Sequence, residues 1–127
     1  MMINTHLKIN QGLCGAPIEL GEGYAIVSLE TKENMTADEK GLIHGGFIFG
    51  LADYASMLAV NHPNVVLAKA EVKFLKPVKL GDVMTSHAKI QKIDNNKYTV
   101  EAFVNVGDIK VFEGVFLCVV TPKHVLE

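Results

Sequence analysis

The sequence predicts an α+β fold in which an antiparallel sheet curves around one long buried helix. Three observations predict it: a sixteen-residue run, Gly46 to Asn61, with no polar face; several alternating β-rich runs after it; and short turn signals between those runs. The 127 residues suit one domain, 1–127, with 1–14 as an N-terminal extension, because two independent cores in so short a chain would each be marginal. Hydrophobic residues make up 49% and charged residues 20%, enough apolar surface to offset chain entropy and to exclude a disordered chain.

Tyr24 to Leu29, introduced by Gly21-Glu22-Gly23, reads as an early strand that extends back toward Pro17 to Leu20. Glu30 to Gly41 is polar and reads as a loop with room for one short helical turn. The run that follows, GFIFGLADYASMLAVN, carries Asp53 as its single formal charge. A helix apolar all round is either buried or membrane-spanning, and this one falls short of the roughly 20 residues a span requires and holds a carboxylate midway. Burial within protein is expected, with no membrane. Asn61-His62-Pro63-Asn64 ends the helix.

Beyond it, Leu67 to Lys76 alternates, which places Ala68, Ala70, Val72 and Phe74 on one dry face and Lys69, Glu71 and Lys73 on the other. Pro77 and Gly81-Asp82 bracket a turn into Val83 to Ile93, and Asp94-Asn95-Asn96 turns the chain into the alternating Tyr98 to Val106. Gly107-Asp108 leads to Ile109 to Thr121, whose Val115 to Val120 stretch is apolar on both faces, as in a strand covered on both sides or continued into another subunit. Meandering strands pair antiparallel, and a sheet wrapped around the helix is the simplest way to hide it, a hotdog architecture.

Lysine and arginine total 12 against 14 acidic residues, a formal charge of −2, and no basic stripe stands out, so nucleic acid is not an expected partner. Cys14 and Cys118 lie far apart without metal spacing, and His6, His62, His87 and His124 form no ligand pattern with them, so no metal is expected. The reduced thiols, and an N-terminus lacking the apolar core of a signal peptide, predict a cytoplasmic protein. Ser28, Ser56 and Ser86 lack the G-x-S-x-G elbow of a serine hydrolase.

The run His44-Gly45-Gly46-Phe47-Ile48-Phe49-Gly50-Leu51-Ala52-Asp53, followed by Glu71-Val72-Lys73-Phe74-Leu75-Lys76-Pro77-Val78-Lys79-Leu80-Gly81-Asp82, resembles the phenylacetyl-CoA thioesterase-like branch of the hotdog acyl-CoA thioesterases. The resemblance covers roughly Gly21 to Val120, and HGG with an acid nine residues after its His44, a buried helix and a later F-x-x-P-x-x-x-G-D turn is fairly specific. It implies an acyl-CoA thioesterase, active as a homodimer or a dimer of dimers whose sheets join edge to edge, with acyl-CoA sites between subunits. It also implies no cofactor beyond the coenzyme A of the substrate itself.

Thioester hydrolysis needs an activated water or carboxylate nucleophile, and donors for the carbonyl oxygen as it becomes negative. Gly45 and Gly46 open the helix, where backbone N–H groups are unpaired and the dipole favours negative charge, so their amides are candidate oxyanion donors. The resemblance makes Asp53 the catalytic carboxylate, as general base or nucleophile, and apolar surroundings should raise its pKa. The motif likewise turns His44 from a bland loop residue into a site residue. Asp53 lies roughly 12 Å along the helix from the Gly45 amide, at ~1.5 Å per residue, too far for one helix to supply both groups. An antiparallel helix pair across a dimer axis sets Asp53 of one chain against His44-Gly45 of the other. Phe47, Phe49, Met57 and Phe74 are candidates to line an apolar acyl pocket, and would serve equally as core packing. Lys76 and Lys79 are weak candidates for the phosphates of coenzyme A, against the bland reading of solvated strand lysines.

Related thioesterases carry Asn or Gln ahead of the HGG; here Asp38 holds roughly that place. An ionised Asp accepts but does not donate, so either Asn34 substitutes through a shifted loop or the site is electronically poorer. The main alternative is therefore a non-catalytic acyl-CoA or fatty-acyl sensor acting through a protein partner, the role of the hotdog domain in a bacterial lipid-synthesis repressor that this sequence also resembles. Hydration of an acyl thioester is disfavoured, since the D-x-N-P-x-H pattern of hotdog hydratases is absent.

Overall fold

A computed structural model describes all residues, Met1 to Glu127. In chain order the elements are a short helix α1 (Gln11–Cys14), strands β1 (Ala16–Gly21) and β2 (Tyr24–Glu30), a 3-10 turn (Glu33–Met35), helix α2 (Gly45–Val60), and strands β3 (Val65–Phe74), β4 (Val83–Asp94), β5 (Lys97–Val106) and β6 (Ile109–Val120). The six strands form one antiparallel sheet in the order β1-β2-β4-β5-β6-β3. α2 packs on its concave face, chiefly against β2, β4 and β5, which is the hotdog arrangement the sequence predicts. No helix is long and apolar enough to cross a membrane.

The register explains how so bulky a helix nests against the sheet. Ala25, Ala88, Ala102 and Gly114 lie opposite one another across β2, β4, β5 and β6, a file of small residues that lowers the floor on that face. Larger side chains flank this file, Val27, Met84, Val104 and Phe112 on one side and Val100 and Phe116 on the other, all buried, and close the core. Within α2, Leu51, Ala52, Ala55 and Leu58 are almost fully buried, and only Gly46 is exposed. The helix has no polar solvent-facing stripe, as its composition requires.

Three sequence expectations change. The early strand is a hairpin: Pro17 to Leu20 belongs to a separate strand that folds back on β2 and pairs Leu20 with Ala25. The face of β3 read as dry is only partly so, because a register shift between Leu67 and Lys69 exposes Ala68 and the strand's end leaves Phe74 55% exposed. The Val115 to Val120 run is an interior strand segment between β5 and β3, so the free edges are β1 and β3, and Val115 is partly open on the convex face.

The N-terminal residues are folded onto the helix. Asn61, the left-handed C-cap of α2 at φ 54°, accepts the Asn4 N–H at 2.8 Å and donates its side-chain amide to the Met2 carbonyl at 2.8 Å. Gly15 then turns the chain from α1 into β1 at φ 108°, and a Cβ there would lie 2.7 Å from Val27 and 2.8 Å from Leu51. Gly15→Ala is expected to destabilise the fold by about 2 to 4 kcal/mol, from backbone strain plus overpacking. Urea unfolding checks this, and a variant within experimental error of wild type would show that α1 is not fixed here.

Candidate active site

The start of α2 is held from two sides. The Ile43 N–H donates to the Val78 carbonyl at 2.8 Å and the His44 N–H to the Met35 carbonyl at 3.0 Å. These bonds fix an extended His44 (ψ 133°) as N-cap, with no side-chain cap. Its carbonyl accepts from the Phe47 N–H at 3.1 Å, and the N–H groups of Gly45 and Gly46 donate to nothing in the chain. Two free donors at the positive end of a sixteen-residue helix make an anion-favouring position. The His44 ring overhangs Gly46, within 3.1 Å of where a Cβ would stand, and meets Phe47 edge-on with centroids 6.2 Å apart.

A cavity of about 210 Å³ opens beside this helix end, lined by Leu42, Ile43, Gly45, Ile48, Phe74, Leu75, Lys76, Pro77 and Val78. It brings together Gly45, Phe74 and Lys76 of the candidate residues. The Phe74 ring lies 3.1 Å from the position of a Gly45 Cβ, which gives that glycine a packing reason as well as a chemical one. Lys79 stands apart: it is exposed and outside the cavity, and its N–H is bound by the Asp82 carboxylate at 3.0 Å.

Asp53 sits more than two turns further along. Its carboxyl is pushed up to about 6 by burial, and Oδ1 is buried without a hydrogen-bond partner. Buried acceptors are ordinarily satisfied, so an orphaned carboxylate oxygen marks a position that expects a further group. At 100° per residue Asp53 points along the same side of α2 as Gly46 and Gly50. Gly50 has open space where a Cβ would be. This strip lies on the side of α2 opposite Leu51, Ala55 and Leu58, which are buried. One turn before the carboxylate, at Gly50, the helix backbone is uncrowded.

The sequence reading missed two neighbours of Asp53. Burial raises the thiol of Cys14 and pushes that of Cys118 up to about 12, and in both the Asp53 charge adds to the rise. Nothing in the sequence places residues 14 and 118 beside residue 53; the fold does so by laying α1 and β6 against α2. Gly50 could have been found, since it falls four residues after Gly46 and three before Asp53.

The other candidates stand as follows in the fold. Asp38 accepts the N–H groups of Lys40 at 2.9 Å and Leu42 at 3.1 Å, a turn that shapes the loop before the helix. One of its two carboxylate oxygens, Oδ1, is therefore engaged. Asn34 is exposed in the 3-10 turn, one residue before the Met35 carbonyl that anchors His44. Met57 is buried to 1% in the core, so it packs the helix and lines no opening. Phe47 and Phe49 are half-buried; Phe49 tilts against Phe116 with centroids 5.5 Å apart and meets Phe112 edge-on at 6.4 Å.

Among curated relatives, the chain is 59% identical over 119 residues to the methylthioribose-1-phosphate isomerase of Aquifex aeolicus, covering 94% of this chain and 26% of that protein. It is 27% identical over 110 residues to the transcription factor FapR of Caldanaerobacter subterraneus, covering 87% of this chain and 54% of that one. The chain thus spans about a quarter and about half of these two relatives. Among solved structures, an uncharacterized Pyrococcus horikoshii protein matches with 54% identity and a TM-score of 0.99, over 100% of this chain and 98% of that one. A Streptococcus mutans protein bound to acetyl-CoA matches with 26% identity and a TM-score of 0.81, over 94% and 99% of the two chains. The sequence pattern of the thioesterase superfamily matches residues 40–113, more than half of the chain and the whole segment from the helix start to the middle of β6. This chain belongs to the thioesterase superfamily.

Proposed function

We propose that this protein binds acyl-CoA thioesters and hydrolyses them to the free acid and coenzyme A at a site shared by two protomers. The observation that carries the reading is the Asp53 carboxylate, held near pKa 6 with a buried oxygen that no group of its own chain satisfies. The unpartnered N–H groups of Gly45 and Gly46 are the complementary half. Along one helix these groups stand roughly 12 Å apart at ~1.5 Å per residue, so Asp53 works with the Gly45 and Gly46 amides of a second copy. The open space at Gly50 lets a second helix approach closely there.

In the proposed reaction the thioester carbonyl oxygen lies against the glycine amides. Ionised Asp53 takes a proton from water as it adds to the carbonyl carbon, or adds itself and is then released by water; the C–S bond breaks and the thiolate is protonated. His44 flanks the carbonyl beside Gly46, and Lys76 at the cavity rim faces the phosphate end of the ligand. The acetyl-CoA carried by the Streptococcus mutans protein supports the ligand class. A cytoplasmic location and a homodimeric state belong to the same proposal.

The test is release of free thiol from a panel of acyl-CoAs, followed against pH. Turnover should rise with pH and reach half its plateau near pH 6, because a carboxylate raised to about 6 is protonated and inert below that value. Similarity to FapR favours a second reading, a sensor that binds acyl-CoA without cleaving it. Tight binding with no thiol released at any pH would select that reading. A strict monomer at working concentration would sink the shared site.

A further inference from the structure

We propose that Thr31 is a positioning residue for the Gly45 and Gly46 amides, acting through the turn from Pro77 to Asp82, an inference that rests on the acyl-CoA reading above. The Gly81-Asp82 end of the F-x-x-P-x-x-x-G-D turn has no part in the proposed reaction. Yet the helix start hangs from this turn. His44 makes no side-chain cap, and the first residues of α2 are oriented by main-chain bonds. The Ile43 N–H meets the Val78 carbonyl at 2.8 Å and the His44 N–H meets the Met35 carbonyl at 3.0 Å. Leu42 forms a bridge with Lys79, and the Leu80 N–H donates to the Gly41 carbonyl at 2.8 Å. Residues 41 to 43 thus run along residues 78 to 80, and the free amides of Gly45 and Gly46 point wherever the turn sets them.

Thr31 follows β2 directly and is buried, 4% exposed. Its hydroxyl donates to the Asp82 carbonyl at 2.7 Å and accepts the Gly81 N–H at 2.9 Å. Its own N–H donates to the same Asp82 carbonyl at 3.0 Å. One buried side chain therefore grips the turn as both donor and acceptor. The turn's other deep anchor is Val78, fully buried, while Lys79, Leu80 and Gly81 are exposed. An apolar anchor fixes depth; a hydroxyl bonded in two directions also fixes orientation. Met35, the second support of the helix start, follows Thr31 through the 3-10 turn, so both supports lead back to this residue. The demand on the amides is strict. Oxyanion donors act at about 2.7–3.1 Å from the developing charge. A misplacement of about 1 Å costs on the order of a hundredfold in rate.

The experiment compares wild type, Thr31→Val and Thr31→Ser with acetyl-CoA and hexanoyl-CoA, and with their ketone analogues, in which a methylene replaces the sulfur. Valine keeps the shape and removes both hydroxyl bonds; serine retains the hydroxyl. Thr31→Val should lower kcat by about ten- to a hundredfold with KM within about twofold of wild type. The pH midpoint should stay near 6, since Asp53 is untouched. Thr31→Ser should recover most of the lost rate. Asp82→Ala removes the carboxylate that accepts the Lys79 N–H at 3.0 Å on the exposed side of the same turn. It should give a smaller fall of the same kind, and it carries the test if Thr31→Val does not fold. Isotope-edited infrared spectra of the bound ketones supply a second readout. The carbonyl, polarised by the amides, should absorb at lower frequency on wild type than in water, and move back toward the free value in Thr31→Val. Wild-type kcat in a folded Thr31→Val, or a loss that serine does not restore, would overturn the positioning role and leave hydrolysis standing. If wild type binds the ketones but releases no thiol, hydrolysis falls, and the carbonyl shift with its loss in Thr31→Val decides the positioning alone. No binding of either ketone by wild type overturns both.

Discussion

Asp53→Asn should lose turnover by on the order of a hundredfold or more, while the variant unfolds later than wild type at pH 8. The two effects share one cause. Asparagine keeps the shape of the side chain but can neither take a proton nor attack a carbonyl, so chemistry stops. The wild-type carboxyl is raised from an ordinary value near 3.8 to about 6 by burial. Above pH 6 the folded protein thus holds an ionised group that the unfolded chain would hold more comfortably, at a cost of up to about 3 kcal/mol. Between pH 4 and 6 the folded state binds more protons than the unfolded one, so wild-type stability falls as pH rises through this window, and the penalty is absent below it. The advantage of Asp53→Asn should be present at pH 8 and gone at pH 4. Thermal melts at both values, beside thiol release, check it. A variant that loses activity and stability together at pH 8 would mean that the carboxylate is satisfied and structural.

Gly45→Pro should remove an oxyanion donor with little harm to the helix, lowering kcat by about 100- to 1,000-fold. Gly45 is the first helical residue, a position where proline is well tolerated because its missing N–H has no helical partner. His44 already has the extended backbone that a residue before proline adopts. The added ring atoms press on Phe74, which is 55% exposed and can yield. Asp53→Asn and Gly45→Pro should also complement each other. In a randomly mixed population half the dimers are hybrids, and each hybrid rebuilds one intact site from two, so about a quarter of wild-type sites should return. Measuring activity after co-refolding the two inactive variants decides the matter. No recovery would place donor and acid in one chain.

How much of the molecule is legible in its sequence depends on the element. α2 is legible almost to the residue, Gly46 to Asn61 against Gly45–Val60, because a run that is apolar all round and ends in Asn-His-Pro-Asn has few alternatives. β4, β5 and β6 are marked by the Gly-Asp and Asp-Asn-Asn turns. β1 merges with β2 in the sequence pattern, since an edge strand carrying Pro17 and a register shift shows no clean alternation. The single-residue shift in β3 is likewise invisible in a pattern that counts residues. In the candidate site, the buried, raised carboxyl of Asp53 and the unpartnered helix start are readable because charge in an apolar run and paired glycines are local signals. For Asp38 and Met57 the sequence leaves alternatives open, since both placements depend on tertiary structure: one caps a turn, the other faces the core. The proximity of Cys14 and Cys118 to Asp53 is purely a product of the fold.

The rim of the sheet at β3 also bears on how the protein keeps its own company. A ten-residue strand with one row of main-chain groups unclaimed invites any unfolded neighbour to zip on. Here the outer face of that rim alternates Lys69, Glu71 and Lys73, with the first two 3.4 Å apart, and the ladder is broken between Leu67 and Lys69. A greasy stray segment would have to lie beside ammonium and carboxylate groups and follow a kinked track. The rim thus turns away fibril-like growth.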